Sequence, residues 1–322
     1  MNILLIDNRK YSYNAEIHID FFSKMQKNHN IIGLGDHLDK RLNKSYKVSN
    51  KKNQISSILA KHNIRAVVSY NASSDNVGKM KWFAENLSKI DIPKFHITTD
   101  YCRRGYKEEQ ARWFEYVGYT HAFFRHKVSV KHPINIPKSW LPFSFDKGKY
   151  NKVAIRNINN KYKKVAFAGA AHFSARGLYR SRIAAIDYLE KNNLMMQTPM
   201  RADGSGRCRF VGDNYINFWT KNLFGLTCGG TCNFFVAKYI QIPAMHCLLV
   251  CTDTTGLEAY PKDTYIKYDV DDLGKLRSDI KYHIKHIKET EFKIKRLNNY
   301  VNKKHNNEKR SKEFIRIIKR YL

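Results

Sequence analysis

Apolar residues along the chain recur with two different periods, which predicts strands and helices in alternation. Short runs at residues 2–6, 65–70 and 93–99 are predicted to be strands, and the apolar run at residues 2–6 is typical of a buried strand. Between such runs, apolar residues recur every three or four positions, as Phe21 and Met25 do. This alternation predicts a parallel sheet with helices on both faces, and therefore an α/β fold.

The alternation is interrupted at residues 147–160, where the chain is polar, basic and weakly periodic. A chain of 322 residues is expected to form two domains of about 150 residues each. We therefore predict two Rossmann-like domains joined by a linker. The predicted parts are a first domain at residues 1–146, the linker at residues 147–160, a second domain at residues 161–300, and a C-terminal helix at residues 301–322.

Residues 231–260 are the most informative stretch of the second domain. Helical spacing of apolar residues up to residue 245 predicts a helix, and the apolar run at residues 247–251 predicts a buried strand. Lys238 and Gln241 are three positions apart and therefore share one face of this helix. Asp253 follows the strand, at the sheet edge where ligands of parallel sheets bind.

An anion site is predicted where the second domain begins. The strand predicted at residues 164–169 ends in Gly169, and a loop of small residues leads into a helix predicted at residues 178–192. A glycine-ended strand followed by a helix N-terminus binds anions through backbone N–H groups. Arginines there add bidentate phosphate contacts, and the candidates are Arg176, Arg180 and Arg182. An exposed basic helix face is the alternative.

The loops that follow the predicted strands of the first domain are basic and aromatic. Arginine and lysine neutralise phosphates, while tyrosine rings stack on bases or sugars. Any one such residue fits a solvated loop equally well, so the prediction depends on three loops converging at one edge of the sheet. The candidate DNA-binding residues are Arg9, Lys10, Tyr11, Tyr13, Asn71, Arg103, Arg104 and Tyr106.

Asp100 ends the strand predicted at residues 93–99. A carboxylate at such an edge can take the proton of an attacking hydroxyl, which makes Asp100 a candidate general base. An aspartate just before a helix is also a common N-cap, and the sequence alone leaves both roles open.

The charge of the chain points to a polyanionic partner. Lys and Arg number 58 against 28 Asp and Glu, a net charge of +30. Such an excess suits DNA, RNA, an anionic glycan or a membrane surface. A hydrophobic content of 43% is sufficient for two packed cores and excludes wholesale disorder.

The six cysteines are scattered and form no C-x-x-C motif. With no secretory leader and no apolar run of about 20 residues for a membrane span, we expect a reducing, cytoplasmic setting. A zinc site at Cys228, Cys232, His246 and Cys247 is disfavoured by its spacing. The D-x-D at Asp269 and Asp271 favours helix capping over metal binding, and we expect no metal.

Three short motifs resemble GT-B glycosyltransferases. K-x-x-Q-I-P-A from Lys238, followed by L-L-V and T-D, resembles their donor-binding segment. W-L-P-x-x-x-D from Trp140 to Asp146 resembles the spore-maturation-like branch. T-D at Thr99 and Asp100 resembles the T-even phage DNA β-glucosyltransferases.

The resemblance implies a GT-B fold, in which two Rossmann-like parallel-sheet domains face each other across a cleft and the last helix returns to the first domain. It implies donor binding by Gly169, Arg176, Arg180, Arg182, Lys238, Gln241 and Asp253. Gln241 stands where the family carries an acid that holds the ribose hydroxyls, although an amide can also bond a diol. Asp100 as the base implies an inverting enzyme.

The leading functional hypothesis is therefore a monomeric, phage-type DNA glycosyltransferase in the host cytoplasm. It would move a sugar from a nucleotide sugar, with UDP-glucose expected, to a 5-hydroxymethylpyrimidine flipped out of double-stranded DNA, and require no cofactor. The alternatives are a GT-B enzyme of bacterial surface glycan synthesis and an inactive nucleic-acid-binding relative.

Overall fold

The computed structural model describes residues 1–7, 20–35, 38, 42–49, 53–70, 77–98, 106–131, 133–151, 156–169, 179–196 and 212–322. These residues form two compact units. The first unit comprises Met1–Ser144 and Asn307–Leu322, and the second unit comprises Phe145–Asn306. The division leaves the last sixteen residues with the first unit, whereas the sequence-based boundaries were drawn at residues 146 and 300.

The first unit contains a parallel sheet with the strand order β3-β2-β1-β4-β5-β6-β7. Its inner strands are buried over nearly their whole length, including the polar residues Lys94, His96 and Thr98 of one strand. The strands are β1 (Asn2–Asp7), β2 (Asn30–Leu34), β3 (Lys44–Tyr46), β4 (Ala66–Tyr70), β5 (Lys94–Thr98), β6 (His121–Phe124) and β7 (Lys138–Trp140).

Helices of the first unit pack on this sheet through aromatic residues. Phe314 meets Phe21 and Phe22 edge-on, with ring centroids 5.5 and 5.3 Å apart, so the C-terminal helix belongs to the core of this unit. The helices are α1 (Asp20–Met25), α2 (Gln54–His62), α3 (Val77–Leu87), α4 (Tyr106–Val117) and α11 (Asn307–Ile318).

The second unit contains a smaller parallel sheet with the order β11-β10-β9-β8. Its strands are β8 (Tyr162–Ala166), β9 (Asn222–Thr227), β10 (Leu248–Cys251) and β11 (Ile266–Lys267). Its helices are α5 (Lys147–Tyr150), α6 (Arg180–Lys191), α7 (Gly212–Thr220), α8 (Lys238–Ala244), α9 (Leu273–Lys285) and α10 (Ile287–Lys304). The predicted α/β class with two parallel sheets is confirmed.

Two sequence predictions about individual elements were wrong. The strands β3 and β7 were missed, because each has three residues with a lysine among them and neither is fully buried. The helix predicted from residue 231 is α-helical only over Lys238–Ala244. Gly230 and Asn233 adopt left-handed conformations, with φ of 64° and 51°, which a continuing helix does not allow. The strand predicted at residues 208–211 lies outside the described residues.

The segment predicted as a linker contains local structure of its own. The Asp146 carboxylate accepts hydrogen bonds from the backbone N–H groups of Gly148 and Lys149 and so caps α5. A second turn, of the 3-10 type, spans Ile158–Asn160. None of the described helices combines the length and apolar composition that a bilayer crossing requires.

Candidate functional site

Gly169 and Lys238 meet at the carboxyl edge of the second sheet. Gly169 follows β8, and Lys238 begins α8. A Cβ built on Gly169 would lie 3.3 Å from Lys238 Nζ and 2.9 Å from the Phe167 ring. A side chain at position 169 would therefore crowd the Phe167 ring and the Lys238 ammonium group. The structure thus brings a cation to the end of β8, where the sequence predicts an anion site.

Gln241 lies one turn after Lys238 and is buried. Its Oε1 accepts a hydrogen bond of 3.0 Å from the hydroxyl of Tyr215, which lies on α7. Because the tyrosine occupies the oxygen, the amide nitrogen remains as a donor. A carboxylate at this position would offer acceptors only. Tyr215 was missed by the sequence analysis, since no local pattern pairs residues of two different helices.

The two described arginines of the predicted phosphate site differ in their surroundings. Arg182 is buried, and its guanidinium carbon lies 3.8 Å from the centroid of the Tyr179 ring and 5.0 Å from that of Phe167. This stacking holds the Arg182 charge against the ring of Tyr179, which precedes α6, and the ring of Phe167, which follows β8. Arg180 is the first residue of that helix and is exposed. Arg176 lies outside the described residues.

Hydrogen bonds connect the two loops that follow β9 and β10. The Gly229 N–H donates to Thr252 Oγ1 at 3.1 Å, and the Tyr239 hydroxyl donates to the Thr252 carbonyl at 3.0 Å. A Cβ on Gly229 would lie 3.1 Å from the backbone of Asn233. The missing side chain of Gly229 therefore leaves room for the chain's own turn at Asn233.

A cavity of about 480 Å³ opens beside these loops. It lies at the carboxyl ends of β10 and β11 and next to the first turns of α6 and α9. Its lining residues are Ser181, Gly230, Asn233, Thr252, Asp253, Lys267, Tyr268, Asp269, Val270, Asp272, Lys275 and Leu276. Burial raises the pKa of Tyr268 well above its usual value, so this side chain meets the cavity as a neutral phenol.

The carboxylates of the cavity are already engaged in local interactions. Asp253 lies 3.4 Å from Lys267 Nζ, and Asp272 accepts from the backbone N–H of Lys275 and so caps α9. Capping was predicted for the D-x-D at Asp269 and Asp271, whereas the residue that caps the helix is the next one, Asp272. Among the described residues, no group of three His, Cys, Asp or Glu side chains has the arrangement of a metal site.

Two cysteines of the second unit that were considered as zinc ligands have other partners. Cys247 is buried, and its thiol donates to the Trp219 carbonyl at 2.9 Å. Burial raises the pKa of this thiol to about 11, although the Lys161 ammonium opposes the shift. Cys232 is disulfide-bonded, which the expected reducing setting does not explain.

Most predicted residues of the first unit lie outside the described residues. These are Arg9, Lys10, Tyr11, Tyr13, Asn71, Asp100, Arg103 and Arg104. Tyr106 is the first residue of α4, and its side chain also lies outside the described part.

A buried arginine occupies the described part of the same sheet edge. Arg125 follows β6, is fully buried, and donates through Nη1 to the carbonyls of Leu141 and Pro142, each at 3.3 Å. Its guanidinium also lies over the rings of Phe21 and Tyr70. Arg125 is not among the candidate residues predicted from the sequence, because burial of a charge is not visible in a local pattern.

No family model and no curated protein sequence matches the chain significantly. Solved structures do resemble it. An alpha-glucosyltransferase in complex with UDP-glucose and DNA containing an abasic site is 13% identical, with a TM-score of 0.70 and 99% of each chain covered. A glycosyltransferase from Rickettsia africae ESF-5 is 12% identical, with a TM-score of 0.69, covering 100% of this chain and 98% of its own.

Anabaena Alr3699/HepE in complex with UDP is 10% identical, with a TM-score of 0.69, covering 99% of this chain and 100% of its own. These likenesses extend over nearly the full length of each chain although few residues are identical. The resemblance stated from the motifs at Lys238, Trp140 and Asp100 is thereby confirmed at the level of the fold. The chain has the fold of the GT-B glycosyltransferases.

Proposed function

We propose that this protein is a glycosyltransferase that moves glucose from UDP-glucose to the hydroxyl of a 5-hydroxymethylpyrimidine in double-stranded DNA. The observation that carries the proposal is the meeting of Lys238 with the Gly169 turn in a chain of GT-B fold. Structures of similar fold were solved with UDP-glucose, and one alpha-glucosyltransferase was solved with UDP and a 13-mer DNA containing an HMU base.

The donor half of the reaction is assigned to the second unit. The Lys238 ammonium, beside the Gly169 turn, stabilises the negative charge that develops on the diphosphate as the glycosidic bond breaks. The amide nitrogen of Gln241 donates to a ribose hydroxyl, and the Tyr215 hydroxyl holds the amide in that orientation. Arg176 and Arg180 supply further phosphate contacts. Asp253 follows β10 at the carboxyl edge of the same sheet.

The acceptor half is assigned to the first unit. Asp100 takes the proton of the hydroxymethyl group as its oxygen attacks the anomeric carbon. The loop residues Arg9, Lys10, Arg103 and Arg104 neutralise DNA phosphates, with Asn71 hydrogen-bonding and Tyr11, Tyr13 and Tyr106 stacking on bases. The net charge of +30 supports a polyanionic acceptor.

Incubation with UDP-glucose and duplex DNA tests the proposal. DNA containing 5-hydroxymethylcytosine or 5-hydroxymethyluracil should release UDP and yield a glucosylated nucleoside by mass spectrometry, whereas unmodified DNA should not. Lys238→Met should lower kcat/KM for UDP-glucose about 100-fold, because the leaving group loses its cation. Lys262→Met, which removes an exposed lysine of the same unit, is the matched control.

Two other outcomes would replace the proposal. Transfer to a saccharide acceptor and not to hydroxymethylated DNA would favour surface glycan synthesis. Salt-sensitive DNA binding without turnover of any nucleotide sugar would favour an inactive nucleic-acid-binding relative, in keeping with the amide at Gln241.

The stereochemistry of the product tests the role of Asp100. Single displacement with Asp100 as the base inverts the α-linked anomeric carbon of UDP-glucose and gives a β-glucoside. The anomeric proton coupling of the glucosylated nucleoside, measured by NMR, identifies the anomer. An α-glucoside would mean retention and would exclude Asp100 as the base of a direct displacement.

A further inference from the structure

Helix α10 presents a continuous basic stripe to solvent. Six residues at spacings of three and four positions share one side of this helix, and all six are exposed. No acidic residue interrupts them. The basic stripe consists of Lys288, Phe292, Lys295, Arg296, Asn299 and Lys303.

The opposite side of α10 is fixed in the core of the second unit. Ile294, Leu297 and Val301 are buried there. The Asn298 amide donates to the carbonyls of Pro243 and Ala244 at 2.9 and 3.2 Å, and so fastens α10 to the end of α8. The basic stripe is therefore held on a rigid support, and its side chains need no folding step to meet a partner.

The cations of the stripe are largely uncompensated. Glu289 pairs with Lys293 at 3.0 Å, and Glu291 pairs with Lys295 at 2.8 Å. Across the part of the chain that the structure describes, the side chains of Lys288, Arg296 and Lys303 make no ion pair and no hydrogen bond. These three cations remain available to an external anion.

Phe292 lies in the middle of the stripe and is 63% exposed. Burying this ring against a partner would be favourable, and aromatic rings among cations are typical of surfaces that bind nucleic acid. An anionic bilayer is a poorer match, because interfacial helices insert a wide apolar face. The apolar side of α10 is already buried in the protein, which leaves Phe292 alone to insert.

We propose that the basic stripe binds the phosphate backbone of DNA and supplies part of the DNA affinity from the sugar-nucleotide unit. This inference rests on the proposed function, in which DNA carries the acceptor. From Lys288 to Lys303 the stripe is about 22 Å long at a rise of about 1.5 Å per residue. A duplex of that length carries about 13 phosphate charges at about one per 1.7 Å, enough for every cation of the stripe.

The salt dependence of DNA binding tests the inference. The triple variant Lys288→Gln, Arg296→Gln and Lys303→Gln removes the three unpaired cations. The slope of log affinity against log salt should become shallower by about 2 to 3, since each lost phosphate contact changes it by about 0.9. The control triple Lys163→Gln, Lys191→Gln and Lys262→Gln removes the same charge from exposed positions elsewhere on the unit and should keep the wild-type slope.

Phe292→Ala gives a second readout. Affinity for single-stranded DNA should fall at least about fivefold at constant salt, because stacking on an aromatic ring is worth at least about 1 kcal/mol per base. The salt slope should stay unchanged. An unaltered affinity for single-stranded DNA would mean that Phe292 does not contact DNA.

The inference and the proposed function fail in different ways. A wild-type slope in the stripe triple, with glucosyl transfer to DNA intact, would overturn the inference alone. A shallower slope in the triple variant of the stripe, with no transfer by the wild type to any DNA, would support DNA binding by the basic stripe and overturn DNA as the acceptor. Loss of binding to phosphatidylglycerol vesicles in the triple, with an unchanged DNA slope, would assign the stripe to a bilayer.

Discussion

Gln241 stands where the resembled enzymes carry an acid, and a single hydroxyl determines what this amide can do. The Tyr215 hydroxyl donates to Gln241 Oε1 at 3.0 Å. Without that bond the amide could present either its oxygen or its nitrogen to a ligand. The bond therefore holds the amide oxygen and leaves the amide N–H groups to donate to a ligand. A carboxylate, in contrast, could only accept hydrogen bonds.

Tyr215→Phe tests this interpretation. Loss of one hydrogen bond, worth about 0.5–1.5 kcal/mol, should raise the KM for UDP-glucose about two- to tenfold and leave kcat nearly unchanged, because the bond acts on ground-state binding. Steady-state kinetics with varied donor concentration measure both constants. Tyr188→Phe on α6 is the control. An unchanged KM would mean that Gln241 does not contact the donor.

At the scale of the elements, the packing of α8 against β9 depends on one small residue. Gly225 lies in the middle of this strand, where a Cβ would fall 2.6 Å from Ile242 Cγ2 and 2.9 Å from the Trp219 ring. The absence of a side chain therefore allows α8 to pack closely on the sheet, and α8 carries Lys238 and Gln241. The position of the candidate donor site thus depends on a glycine that has no contact with it.

Gly225→Ala should lower the free energy of unfolding by about 1–3 kcal/mol, because the added methyl group overpacks the core. Gly274→Ala is the matched control, since its nearest neighbour, Asp272 Oδ1, would be 3.8 Å from the new Cβ. That change, in the first turn of α9, should be neutral or stabilise by up to about 1 kcal/mol. Urea unfolding of both variants measures the difference. Equal midpoints would contradict the packing argument.

At the scale of the whole molecule, the chain returns at its end to the unit in which it began. Phe314 is fully buried in the core of the first unit, together with Phe21 and Phe22. The first unit therefore lacks part of its core until the last helix has been synthesised. The second unit contains its own core and needs no residue from α11.

Phe314→Ala should destabilise the first unit by about 3–5 kcal/mol, the usual cost of emptying a buried aromatic site. Hydrogen exchange should accelerate in α1 and β1 and stay unchanged in β9 and β10. Phe292→Ala, which removes an aromatic residue that is 63% exposed, should change stability by less than about 0.5 kcal/mol. Equal acceleration in both sheets would mean that the two units unfold together.

The α/β class, the two sheets and most element positions were predictable because hydrophobic periodicity is a local property of the chain. The strand predicted at residues 65–70, for example, is observed as β4 at Ala66–Tyr70. The shared helix face of Lys238 and Gln241 also follows from spacing alone. Polar strands as short as β3 and β7 carry no such signal, because neighbouring strands stabilise them more than their own residues do.

The sequence by itself determined the alternating elements, the excess of positive charge and the residue types of the candidate donor segment. Only the tertiary structure decided that Gly169 meets Lys238, that Tyr215 orients Gln241, and that α11 completes the first core. The physical reason is the same in each case. These contacts join residues far apart in the chain, and their free energy comes from packing and burial, which no local pattern of residues encodes.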